Sequence, residues 1–146
     1  MPEPQSYKNH TRWFPPFHFF AAPALVLNFL FAIAATIHYW PRHRFLFLWY
    51  IVASLALIVL ALSSRVMALR AQDRCICLEE RLRFMALLPA DELARSKGLS
   101  EDQIIGLRFA SDDEVPALVK RALDEHLTRD QIKQAINSWR PDYFRV

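Results

Sequence analysis

The chain has 146 residues, of which 53% are hydrophobic and 23% charged, and by length this is one domain's worth. The net charge of +3 is unevenly placed: residues 65–146 carry 14 Lys/Arg and 14 Asp/Glu, so the excess lies in residues 1–44, as Lys8, Arg12, Arg42 and Arg44 against Glu3. A polar half with no net charge excludes a basic surface for nucleic acid, and none is expected as a partner.

Residues 1–18 read as an N-terminal interfacial segment. Trp13 and Phe14 suit a headgroup layer, and Pro15-Pro16 cannot continue a helix backwards, so the segment should lie along the membrane surface and then turn inward. Residues 19–40 form the first expected span; its core, 19–37 (FFAAPALVLNFLFAIAATI), is 19 residues without a charge. Residues 45–62 (FLFLWYIVASLALIVLAL) add another 18. Each approaches the ~20 residues that cross a ~30 Å hydrocarbon core. Both runs are apolar around their whole circumference, and the rest of the chain is too small to cover them, which excludes a buried hairpin in a soluble protein. Tyr39, Trp40, Trp49 and Tyr50 suit the two interfaces. Ala32-Ile33-Ala34 has the small-x-small form of a signal-peptidase site, but the long polar lead and the length of the run favour retention.

Pro41-Arg42-His43-Arg44 is too short a connection for anything but antiparallel neighbours. Lys8, Arg12, Arg65, Arg70 and Arg74 flank the outer ends of the spans, against Arg42 and Arg44 in the turn. Five against two places both termini in the cytosol. Asn28 within the first span needs a hydrogen-bond partner, and Ser54 of the antiparallel neighbour offers one. Ala24, Asn28, Ala32 and Ala35 give that span a small face.

Inside the second span a further pattern begins. Ser54, Leu57, Ala61, Ser64, Ala68, Ala71, Cys75, Leu78, Leu82 and Met85 follow an unbroken 3-4 spacing, the a and d positions of a heptad seam. No residue from 45 to 88 breaks a helix and Pro89 ends it, so residues 45–88 are expected to form one helix ~66 Å long. Small residues let backbones approach in lipid, whereas Leu78, Leu82 and Met85 bury apolar area in water. Arg74 and Glu79 fall at flanking g and e positions. This seam has two possible occupants: the chain's own first span and C-terminal helices, or another subunit. Cys75 and Cys77, about 200° apart on a helix, cannot share a metal or a disulfide; they read as small buried residues in a reducing compartment.

Residues 89–146 form a cytosolic helical domain. Ser100 with Gln103, Ser111 with Glu114, and Thr128 with Gln131 match the capping-box form, which predicts helices near 101–110, 113–126 and 129–139. Their apolar faces, from Ile104 and Leu107 to Ile132 and Ile136, make a small core, which should need the end of the long helix or a partner. The tail holds Trp139, Arg140, Tyr143, Phe144 and Arg145, the composition of an interface anchor; the alternative is a tail folded over its own bundle.

No nucleotide motif, zinc motif or nucleophile–base pair is present, and no carboxylate lies within the spans. No enzymatic activity, small-molecule substrate or cofactor is therefore expected. His38, four residues after Ala34, resembles the pattern by which antenna polypeptides ligate bacteriochlorophyll and offers a pigment or haem ligand as an alternative.

Residues 7–12 (YKNHTR), 15–20 (PPFHFF), Arg81-Leu82-Arg83 leading to Leu87-Leu88-Pro89, residues 107–112 (LRFASD) and Trp139-Arg140-Pro141-Asp142 together resemble an uncharacterised family of small bacterial two-span membrane proteins, known only as a domain of unknown function. The resemblance implies a bacterial inner-membrane protein and carries no residue roles. The expected architecture is all-α: a transmembrane hairpin whose second helix extends into the cytosol, then a small helical bundle. The expected function is that of an accessory subunit or homo-oligomeric scaffold, in the bilayer with itself or a larger complex. A membrane-tethered adaptor recruiting a cytosolic protein through residues 89–146 is the other alternative.

Overall fold

The computed structural model describes residues 5–9, 13–40 and 42–142. Its elements are all helical: a π-helical turn Pro16–Ala21, then α1 Ala22–His38, α2 Arg44–Leu87, α3 Ala90–Ser96, α4 Glu101–Leu107, α5 Val115–Asp124 and α6 Arg129–Ala135. Among the described residues there is no strand, only an antiparallel bridge between Ala110 and Trp139. The described residues divide into two compact units: residues 13–69, and residues 70–142 together with residues 5–9.

In the first unit, the helix starts where Pro15 and Pro16 have no N–H to lose. Pro23 could have interrupted it, since its nitrogen cannot donate to the carbonyl of Phe19. A wider π turn falls at that place, with Ala22 N donating to Phe17 O, five residues back. Pro16–His38 and Arg44–Leu87 are both long and apolar enough to cross a membrane, and only 11% and 6% of their apolar windows are buried, unlike the core helix of a soluble domain. The two helices meet through small and polar groups. Asn28 Nδ2 donates to Ser54 Oγ at 2.8 Å, the pairing expected from the sequence. Ala32, Ala35, Thr36 and Ser54 are buried, and Thr36 Oγ1 satisfies itself on the Ala32 carbonyl at 2.7 Å. At the turn, the Tyr39 and Phe47 rings stack with centroids 5.2 Å apart.

The second unit packs α3 to α6 around a core of Phe84, Leu88, Leu99, Ile104, Leu107, Phe109, Val115, Val119, Ala122 and Ile132, among others. Phe84 and Leu88 come from α2, so the long helix completes the small core, as its size required. Two expected capping boxes are present: Ser100 with Gln103 on α4 and Thr128 with Gln131 on α6. Gln103 does more than cap. Its Oε1 accepts from Ser100 N at 2.9 Å while its Nε2 donates to the carbonyls of Ala122 and Leu127 at 3.0 and 3.1 Å, covering orphan acceptors at the end of α5. Gly106 lets α4 and α6 approach: a Cβ there would lie 3.2 Å from the Arg129 carbonyl and 3.3 Å from Ile132 Cγ2.

The third expected box is not formed. Glu114 is itself the N-cap residue of α5, and its carboxylate accepts from the backbone N–H groups of Asn137 and Ser138 at 3.3 and 3.1 Å. The helices are accordingly shorter than the expected 101–110, 113–126 and 129–139. After α6 the chain turns extended and pairs with residues 109–111: Ser111 N donates to Ser138 O, and Arg140 N to Phe109 O at 2.7 Å. At the far end of α5, His126 takes a left-handed φ of 51°, and Leu127 N reaches Ala122 O at 3.2 Å, the long bond of a Schellman motif. Residues 5–9, read from the sequence as part of an interfacial segment, are bound to this same unit: Asp142 N donates to Gln5 Oε1 at 2.8 Å and Gln134 Nε2 to Tyr7 Oη at 3.1 Å.

Because Phe84 is 1% exposed and Leu82 58% exposed, Phe84→Ala is expected to destabilise the C-terminal unit by about 3–5 kcal/mol. Leu82→Ala is expected to change its intrinsic stability by under about 0.5 kcal/mol. Denaturant titration of the full chain in detergent, followed by Trp139 fluorescence, measures both. His126→Gly, which removes the Cβ from a left-handed position, is expected to stabilise by about 1 kcal/mol in the same assay.

Candidate functional site

Helix α2 carries two opposed faces over residues 70–87. Ile76, Glu80 and Phe84, four residues apart, are buried, and Phe84 with Leu88, just beyond the helix, belongs to the core of the C-terminal unit. About 180° away lie Ala71, Cys75, Leu78, Leu82 and Met85, all exposed; Leu78 and Met85 are 62% and 64% exposed. The C-terminal half of the expected seam is therefore not the face that holds the C-terminal unit. Its membrane-length half is divided: Ser54 is buried on Asn28, Ala61 is half-buried, and Leu57, Ser64 and Ala68 are exposed. Within the chain the stripe is buried at Ser54 and half-buried at Ala61, and its other members are exposed. Cys75, expected to be buried, is exposed because it belongs to this outer face, whereas Cys77 is half-buried against the core. Burial is the first cause that pushes the Cys77 thiol above its ordinary value, and the nearby Glu101 carboxylate adds to it; a protonated thiol there is a poor nucleophile.

Beside the buried face lies a cleft of about 720 Å³ lined by Gln72, Cys75, Ile76, Glu79, Glu80, Arg83, Arg108, Asp112, Arg140, Pro141 and Asp142. Glu79 apart, its charges are paired. Arg83, one turn before the end of α2, donates to Glu80 Oε2 at 3.0 Å, to Asp112 Oδ1 at 2.7 Å and to the Ala110 carbonyl at 2.7 Å. Glu80 also faces Arg140 at 3.5 Å. Arg108 lies 3.4 Å from Asp142 and covers the Phe109 ring at 4.5 Å. Together these bonds fasten the loop after α4 and the tail to α2. The sequence segments that carry the family resemblance meet here, since Arg83, residues 108–112 and residues 139–142 all contribute. No periodicity argument isolates these residues; a carboxylate and a guanidinium three apart on an otherwise apolar helix face, Glu80 and Arg83, were the available signal.

The tail residues are spent partly within the chain. Trp139 packs on Phe109 with ring centroids 5.0 Å apart, and Arg140 faces Glu80. Tyr143, Phe144 and Arg145 lie outside the described residues. His38 ends α1, exposed, with its ring edge-on to Tyr39 at 4.7 Å. Among the described residues no group of three or more His, Cys, Asp or Glu is placed to hold a metal ion.

Burial raises the Glu80 carboxyl above its ordinary value, and Arg83 and then Arg140 offset this in part. The folded chain thus holds the Glu80 proton more tightly than the unfolded one. Its contribution to stability is complete below the unfolded carboxylate range and is lost as pH rises through the raised value. Glu80→Gln keeps a neutral hydrogen-bonding group while Arg83 retains Asp112 and Ala110. That variant is expected to lose this falling segment of the pH–stability curve and to gain on wild type as pH rises from about 4.5 to neutrality. Chemical denaturation at a series of pH values reads the difference; parallel curves would show that Glu80 ionises as freely folded as unfolded.

No curated protein and no solved structure matches the chain. A model described as a family of unknown function (DUF6526) matches residues 1–146, the whole chain, and the protein belongs to that family.

Proposed function

We propose that this protein is a non-enzymatic integral membrane protein of the bacterial inner membrane that acts in assembly, as an accessory subunit or scaffold joined to other subunits through α2. One observation carries the reading: the apolar outer face of α2 continues a membrane-length helix and is left open by its own chain. Exposed Leu78, Leu82 and Met85 in line make an apolar stripe on a helix whose opposite side already has its core, and such stripes mark interaction sites. In water their cover contributes roughly 25 cal/mol per Å² buried.

The membrane part of the reading is supported by the exposed Phe19, Phe20, Leu27, Phe31, Ile37, Phe45 and Leu60, which cover both helices with hydrocarbon that only lipid or another apolar helix can match. The topology is supported by residues 5–9, which bond to the same compact unit that holds α3 to α6. A hairpin returns both ends to one side, and the five flanking cations against two in the turn make that side the cytosol.

Light-scattering mass measurement on the full chain extracted in mild detergent tests the reading. A protein mass of at least two chains, or of one chain with a stoichiometric partner, is expected; a particle holding a single 17.1 kDa chain overturns it. Leu82→Asp, on the outer face, is expected to reduce the particle to single chains while leaving the helical content unchanged.

A further inference from the structure

We infer that the outer face of α2 is the docking surface for a second copy of this chain, parallel and in register, with Arg74 of each copy paired to the partner subunit's Glu79. The inference rests on the membrane reading above and names the occupant which that reading leaves open.

The topology supplies the direction. Two copies inserted alike in one bilayer present their α2 helices parallel, so the antiparallel arrangement open to soluble helices is closed to them. The helix supplies the surface: α2 is unbroken over 44 residues, and the 3-4 spacing from Ser54 to Met85 runs along it without a skip. A strict seven-residue repeat drifts about 20° per heptad on a straight helix, the drift that a left-handed pair of helices takes up. In the water-exposed part the a positions are Ala68, Cys75 and Leu82 and the d positions are Ala71, Leu78 and Met85, all exposed.

The flanking charges choose a second copy and a register. In a parallel pair each g residue faces the e residue five positions on in the other helix. Arg74 is at g and Glu79 at e, five apart, so two-fold symmetry makes the pair twice. The neighbouring g-to-e combinations, Met67 with Gln72 and Arg81 with Ala86, bring no like charges together. A shift of one heptad sets Arg74 against Ala86 or Gln72 and loses both pairs. No ion pair among the described residues engages Arg74 or Glu79 within the chain, so both remain available to a partner.

The experiment uses the full chain in native membranes. In a Cys75→Ser, Cys77→Ser background, Leu78→Cys is expected to give a disulfide-linked dimer on mild oxidation, whereas Arg70→Cys, exposed on α2 away from the seam, gives none. Arg74→Glu and Glu79→Arg should each weaken the dimer in detergent about fivefold, the scale of two like-charge contacts near a surface. Combining both changes in one chain should restore wild-type association, which only a partner carrying the same two changes can produce. If the particle is larger than one chain but Leu78→Cys does not cross-link and the double variant is no better than the singles, the surface has another occupant. The inference is then overturned and the assembly reading stands. Equal cross-linking at Arg70→Cys marks random collision and also overturns the inference; a single-chain particle overturns both.

Discussion

The continuity of α2 is the constraint on which the structure depends. From residue 44 to residue 87 there is neither proline nor glycine, the residues at which helices are most often kinked. One helix therefore contributes to both compact units. In its first half the side chains are apolar on every side. In its second half they separate into a face that fills the core of the C-terminal unit and a face that does not.

The inner face illustrates how a marginal domain is completed. Helices α3 to α6 are 7 to 10 residues long, too short to be stable from their own hydrogen bonds. They are held by capping side chains, by the closeness that Gly106 allows, and by the Phe84 ring. Around that ring the polar bonds are placed at the edge of the core. Arg83 has three acceptors, so its charge is compensated where burial would otherwise be costly. Glu80 meets two guanidinium groups, and still its burial outweighs them. By contrast, the exposed pair Arg121–Glu125, in which the hydrogen bond from Arg121 is the first cause that lowers the Glu125 carboxyl, lies in water and contributes little.

Much of this was legible in the sequence, for identifiable reasons. The membrane-length helices follow from uniform hydropathy, the ends of α4 and α6 from Ser100/Gln103 and Thr128/Gln131, and the Asn28–Ser54 bond from the cost of an unpaired amide among apolar groups. Ser111 and Glu114 matched the same capping pattern, yet tertiary demand took Glu114 for the N–H groups of Asn137 and Ser138. A local motif cannot anticipate a donor more than twenty residues away. The inner face of α2 was missed because Ile76, Glu80 and Phe84 mix charge with hydrocarbon, whereas the outer face kept a clean heptad pattern. Trp139 was read as an interface anchor, with a tail folded over its own bundle as the alternative; in the structure its ring packs on Phe109 of the same chain.

The bond between Gln5 and Asp142 joins positions 137 residues apart in sequence. During synthesis Gln5 leaves the ribosome long before its donor, the Asp142 N–H, exists. It must therefore wait, unpaired, through the emergence of every helix, and the clasp closes last. Anything bound to Gln5 at that moment would leave the Asp142 N–H without this acceptor, so a contact made near residue 5 bears on how the segment near residue 142 is fastened.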